Sequence, residues 1–324
     1  MEFWKGRGHA LLLAVVLFSP LAAKALPEVR LAVLAYGTLR WEVKTIESEG
    51  LDRENGFLLR TQWIATPQAA RVAFLGKGVD LFVGDWLWAA SQRLQGRKIQ
   101  AAPYSLSHGA LIVREGIDGL ADLAGKRLGV AGGPLDKNWL LLQALYRERF
   151  GKPLTAKIVF GAPPLLNEQF KRGRLDALLT YWHYAARLEA AGFRRLFTGE
   201  QLMEAFGITT RLPALSYLFW EGWATQNPDL VRAFLKAAYT AKRKLCTEEE
   251  AWQRIEPDLG TEDPRLEALL KARYCGGIPH RFGRAEIEAA RKLYRLLHGI
   301  DPKVAPSPEL PEGLFYADLP LATE

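Results

Sequence analysis

From Val29 onward the chain alternates short apolar, β-rich runs with stretches of helical periodicity, and this pattern narrows its fold more than any other feature. Strand-like runs stand at 29–35, 57–65 and 79–83, each followed by a helical stretch at 38–49, 66–76 or 86–94. Thr66-Pro67 supplies an N-cap and a first-turn proline for the second of these helices. Such βα units build a parallel sheet covered by helices. The run 111–114 closes this first unit. A second set follows, with strands at 128–131, 157–160, 177–180 and 194–197 and helices at 134–150, 165–172 and 182–191. One more strand, 215–220, precedes an all-helical region at 228–245, 248–255, 264–274 and 284–297. The tail beyond Gly299 carries five prolines and reads as irregular.

These segments predict an α/β architecture of two lobes, each a mainly parallel sheet flanked by helices. Residues 26–114 plus 212–324 form the first lobe and 115–211 an inserted second one. The chain crosses between lobes twice, near 111–114 and 212–218, with the C-terminal helices returning to cover the first lobe. A ligand cleft then lies between the lobes, where the strand C-termini of both sheets face it.

Residues 1–25 have the makings of a secretory leader. Lys5 and Arg7 precede an apolar run from Ala10 to Phe18, and Ala23-Lys24-Ala25 offers small residues for cleavage after Ala25. Nine uninterrupted apolar residues fall short of the roughly 20 that span a membrane. An exported, periplasmic chain is expected, freely soluble for want of a lipidated cysteine. In an oxidising compartment Cys246 and Cys275 either bond to each other or stay as two buried thiols. The excess of 43 Lys and Arg over 36 Asp and Glu comes without a basic run, so no nucleic-acid partner is expected. Gly-x-Ser-x-Gly, His-Glu-x-x-His and a post-strand Gly-x-Gly-x-x-Gly are all missing, and no Cys/His spacing suggests a metal. The chain is read as a non-enzyme without cofactor.

Several stretches resemble one family. They are Val29–Gly37 with Leu51-Asp52-Arg53-Glu54-Asn55-Gly56, Gly78-Val79-Asp80-Leu81, Leu120-Ala121-Asp122-Leu123-Ala124-Gly125-Lys126-Arg127-Leu128-Gly129-Val130, Gly173-Arg174-Leu175-Asp176-Ala177 and Asn227-Pro228-Asp229-Leu230-Val231-Arg232-Ala233-Phe234. Together they are similar to the substrate-binding proteins of ABC importers, in the nitrate/sulfonate/taurine class with its thiamine-pyrimidine-precursor relatives. The resemblance covers roughly residues 27–297. It implies a type II periplasmic binding protein fold and a monomeric receptor for a small-molecule ligand. Hinge closure over the ligand and transient docking on an ABC permease with its ATPase belong to the same implication. Pyrimidine-synthase members carry a cysteine-rich motif with a reactive histidine. Neither Cys246 nor Cys275 lies in such a motif, which leaves that branch unsupported. An adaptor of the same fold, or an enzyme acting on a small heterocycle, is the alternative.

Candidate ligand contacts fall at four strand-to-helix junctions. Tyr36, Gly37, Thr38 and Trp41 follow the first strand, where Thr38 can cap a helix whose first N–H groups meet a ligand. Asp85 and Trp86 form the second junction; Asp85 either accepts from a ligand amine or caps its helix. Trp86 and Trp88 point about 200° apart on a helix, and Trp86 is the closer to the strand end. Gly132, Gly133, Lys137 and Asn138 combine close backbone approach with donors. Tyr181, Trp182 and His183 suit a planar ligand or inter-lobe packing. Arg211 and Tyr217 stand at the return crossing and serve either hinge or site. A free Asp85 among these groups tilts the ligand toward an aromatic nitrogen heterocycle or zwitterion over a sulfonate; an Asp85 that only caps removes the tilt.

Overall fold

The computed structural model describes Met1 and residues 25–321. The predicted leader, apart from its two end residues, lies outside the described residues. The first sheet is built from β1 (Glu28–Leu34), β2 (Leu58–Ile64), β3 (Leu81–Gly84), β4 (Ile99–Ser105) and a late strand, β10 (Leu215–Trp220). The second contains β5 (Ala110–Val113), β6 (Arg127–Ala131), β7 (Lys157–Gly161), β8 (Ala177–Thr180) and β9 (Arg194–Thr198). Helices α1 (Leu39–Glu49), α2 (Leu51–Glu54), α3 (Pro67–Leu75) and α4 (Trp86–Leu94) belong to the first sheet's βα units. The second sheet's are α5 (Lys137–Phe150), α6 (Pro163–Lys171), α7 (Trp182–Ala190) and α8 (Gly199–Glu204). After β10 come α9 (Glu221–Gln226), α10 (Pro228–Thr247), α11 (Glu249–Leu259), α12 (Pro264–Gly276) and α13 (Arg284–Ile300).

The two sheets have matching orders, β2-β1-β3-β10-β4 and β7-β6-β8-β5-β9. In each, one strand that arrives from the other lobe runs antiparallel: β10 in the first sheet and β5 in the second. The two-lobed α/β fold is therefore as expected. Alternation along β1 sends Val29, Leu31 and Val33 against α1 and α10, and Ala32 to the opposite face with Ile64, Ala70 and Phe74. Along α10, Val231, Phe234, Leu235, Ala238 and Leu245 recur at helical spacing and are buried.

Two strands differ from the sequence reading. β4 was not foreseen, because Pro103 interrupts it; it lies at the sheet margin beside β10, where a strand tolerates proline. Residues 110–113, read as the end of the first lobe, pair with β8 and β9 of the second sheet instead. The outward crossing is thus 106–109, before β5, and the return runs through 205–214. The return crossing docks on the end of β4, where the Ala214 N–H donates to the Ser105 carbonyl at 2.7 Å.

The C-terminal helices do more than cover the first lobe. Both α10 and α11 pack on α1, whereas α12 lies on α7 and α13 on α5. Arg273 of α12 forms a two-pronged ion pair with Glu189 of α7, at 2.8 and 2.5 Å. Cys246 and Cys275 are bonded, joining α10 to α12. The tail follows the free side of β4: the Ala101 N–H donates to the Leu314 carbonyl at 2.7 Å, and the Tyr316 N–H to the Ala101 carbonyl at 3.0 Å. No helix of the described residues is long and apolar enough to cross a membrane.

Candidate functional site

Loops at the C-terminal ends of strands from both sheets converge between the crossings. From the first lobe come the β1–α1 turn, Arg71 on α3 and the β3–α4 junction; from the second, the β6–α5 and β8–α7 junctions.

In the β1–α1 turn Tyr36 is half-buried and its hydroxyl pKa is raised by burial. Thr38 precedes α1, but its side chain caps nothing. Its backbone is already helical, and its hydroxyl turns inward to lie 3.4 Å from the Tyr104 hydroxyl. The first amides of α1 are left without a side-chain acceptor.

At the β3–α4 junction both readings of Asp85 meet. Oδ1 accepts from the Leu87 N–H at 3.0 Å and caps α4, while Oδ2 accepts from the Lys137 ammonium at 3.0 Å. Lys137 also donates to the Ala214 carbonyl at 2.6 Å and is buried. An ion pair therefore bridges the lobes, and neither partner is free for a ligand.

Next to Lys137 on the second lobe, Gly132 takes φ +104°, a conformation suited to glycine, and Gly133 is open on its Cα face. Asp136 caps α5 by accepting from the Trp139 N–H at 3.1 Å, and burial raises its pKa to about 6. Asn138 points away from the cleft, into the packing under α8. A methyl placed on Gly199 would sit 2.5 Å from Asn138 Oδ1, and that oxygen has no partner.

At the β8–α7 junction Tyr181 is half-buried. Burial raises its hydroxyl pKa, and the negative field of Asp136 raises it further. Trp182 meets Trp41 edge-on at 6.1 Å. His183 is buried among Trp182 and Tyr184, with ring centres at 5.4 and 4.5 Å. Burial, then the Arg187 cation, lowers its pKa to about 3, so the ring is neutral.

Three predicted contacts are core residues. Trp41 is enclosed by Trp182, Trp252 and Tyr274. Trp86 is wholly buried and donates to the Pro213 carbonyl at 3.1 Å, pinning the return crossing. Tyr217 is wholly buried and donates to Glu42 at 2.8 Å. Arg211 is exposed and donates to the Gly276 carbonyl on α12. In each aromatic case the large apolar surface has won over proximity to a strand end.

The sequence reading missed Arg71. It is half-buried, with its guanidinium 5.1 Å from the Trp88 ring centre, and makes no hydrogen bond or ion pair among the described residues. Burial lowers its pKa, and the negative field of Asp85 pushes it back up. The available signal was a lone basic residue on an otherwise uncharged helix, Pro67–Leu75. His108 was also missed; it lies on the outward crossing with Nε2 3.0 Å from the Leu212 carbonyl of the return.

Residues 92–247 match the family model described as NMT1/THI5 like. The match runs from the end of α4 to the end of α10, and so takes in the whole second sheet, both crossings and β10. Of solved structures, the chain resembles the alkanesulfonate-binding protein SsuA of Xanthomonas axonopodis pv. citri, bound to MOPS. That likeness has 15% identity and a TM-score of 0.71 and covers 91% of this chain and 99% of that one. The aliphatic sulphonate binding protein SsuA of Escherichia coli matches at 15% identity and a TM-score of 0.65, covering 87% and 95%. The nitrate-binding protein NrtA of Synechocystis PCC 6803 matches at 13% identity and a TM-score of 0.54, covering 71% and 66%. No curated protein matches the sequence significantly. These likenesses bear out the two-lobed binding-protein fold.

Proposed function

We propose that this protein is a periplasmic receptor of an ABC importer. It captures a small organic anion between its lobes and presents the closed form to a membrane permease with its ATPase, acting as a monomer without catalysis. The observation that carries this reading is the convergence of strand-end loops from two similarly ordered sheets beside the crossings at 106–109 and 205–214. A leader cut after Ala25 accords with that location.

The ligand class follows from which polar groups are uncommitted. Asp85 has both oxygens engaged, so the tilt toward an aminated heterocycle or zwitterion disappears. What remains is the unpaired Arg71 guanidinium, the uncapped start of α1 and the half-buried rings of Tyr36 and Tyr181. A positive group and free amides beside aromatic faces suit a sulfonate or carboxylate on a compact apolar body. The sulfonate-binding relatives lend support.

Calorimetric titration with MOPS, short alkanesulfonates and an aminopyrimidine tests the reading. The sulfonates are expected to bind at one site and the aminopyrimidine is not. Replacing Arg71 by Gln removes one charge-assisted contact worth about 1.5–3 kcal/mol, a loss of roughly 10- to 150-fold in affinity. Thermal stability should fall by no more than about 1 kcal/mol, since Arg71 gives up its place beside the Trp88 ring but no hydrogen bond or ion pair. Tight aminopyrimidine binding, or an Arg71→Gln variant with unchanged sulfonate affinity, rejects it.

A further inference from the structure

The polar groups around the crossings are consumed within the protein in a particular way. Lys137 is the first residue of α5, on the second lobe, and its side chain is 5% exposed. Both hydrogen-bond partners of its ammonium lie outside that lobe: Asp85 Oδ2 on the first, at 3.0 Å, and the Ala214 carbonyl on the return crossing, at 2.6 Å. Each partner is itself anchored. Asp85 is held through Oδ1 by the Leu87 N–H, and Ala214 by its bond to the Ser105 carbonyl. His108 Nε2 and the Leu212 carbonyl tie the same two crossings at 3.0 Å. A cation this enclosed is tolerated only while its partners stay within reach. Rotating the lobes apart would draw Asp85 away from it, whereas Ala214 belongs to the return crossing itself.

We propose that the Asp85–Lys137 pair is a latch that holds the lobes together before any solute arrives, with Lys137 a positioning residue in place of the ligand contact expected from sequence. This inference rests on the reading that the lobes move about the crossings. Its test is made without ligand, so failure of the latch and failure of the receptor reading are separate results. The latch sets a population: apparent affinity equals intrinsic affinity multiplied by the fraction of molecules in the closed form. Breaking it lowers that fraction and weakens binding of any cleft ligand, without removing a contact to the ligand.

Spin labels at Gln68→Cys on α3 and Glu168→Cys on α6, both exposed sites, report the lobe separation by double electron–electron resonance. In the oxidised, unliganded parent a single short distance is expected. Lys137→Met is expected to add a longer-distance population. Asp85→Asn should do the same, because asparagine keeps the cap on α4 and loses the charge. If the methionine variant fails to fold, the asparagine variant decides. Wild-type distance distributions in folded variants overturn the latch, as does a parent that is already open.

Discussion

Removing the Lys242 ammonium should destabilise the protein far more than its distance from the cleft suggests. Glu42, on α1, has no exposed surface. Its Oε2 accepts from the Tyr217 hydroxyl at 2.8 Å, and its Oε1 from Lys242 at 2.6 Å and the Tyr274 hydroxyl at 3.1 Å. Lys242 is equally enclosed, its ammonium 3.8 Å from the centre of the Tyr104 ring, and burial pushes its pKa down. Lys242→Met keeps the shape of the side chain but strands a carboxylate. Breaking a buried pair in this way costs about 3–5 kcal/mol. Tyr217 and Tyr274 still donate, which argues for the low end, about 3 kcal/mol. At 2–4 °C per kcal/mol for a chain of this order, the melting temperature should fall by roughly 6–12 °C. The companion Glu42→Gln/Lys242→Met removes both charges and leaves an amide for the tyrosine hydroxyls. It should return to within about 1 kcal/mol of the parent. Urea unfolding followed by tryptophan fluorescence measures all three. A single variant as stable as the parent, or a double variant no better than the single, would refute the view that an unpaired buried charge dominates here.

Two further perturbations act elsewhere. Cys246→Ser/Cys275→Ser opens a loop with a sequence separation of 29 and should cost up to about 3.6 kcal/mol on the chain-entropy model; unfolding of the parent with and without reductant should reproduce the difference, and coincident curves count against it. Asp136 has a folded pKa of about 6, above its ordinary value, so its contribution is present at low pH and is lost as pH rises through 6. Asp136→Asn keeps the cap and should gain about 1–3 kcal/mol at pH 7.5 but nothing at pH 4; melting curves parallel to the parent at both pH values would rule out this titration.

Local signals carried most of the fold. The helix Trp86–Leu94 was legible to the residue, because Asp85 caps it and the strand before it ends in glycine. β4 escaped because Pro103 reads as a breaker, and only its marginal place in the sheet makes the proline harmless. β5 was visible as an apolar run but not as a member of the other sheet, since pairing with β8 and β9 is a fact of topology, not of composition. At the site the junctions were legible and the roles were not. Trp41, Trp86 and Tyr217 stood at the right places in sequence, yet each was more stable buried. The pairing of Asp85 with Lys137 joins residues from different lobes, which no local pattern contains. Arg71 sat in plain view on α3 without a motif to mark it.

The tail over β4 has a consequence for handling the protein. A marginal strand left bare offers a row of N–H and C=O groups on which another copy can template. Here Leu314 and Tyr316 occupy the groups of Ala101 on that rim, and Phe315 anchors the segment on Trp86, with ring centres 5.7 Å apart. Pro311 and Pro320 flank the segment, and each lacks the donor that would let the pairing spread. Trimming the chain before Gly313 would thus trade a self-sealed margin for a sticky one, and the first symptom would be clumping in solution, ahead of any loss of folding.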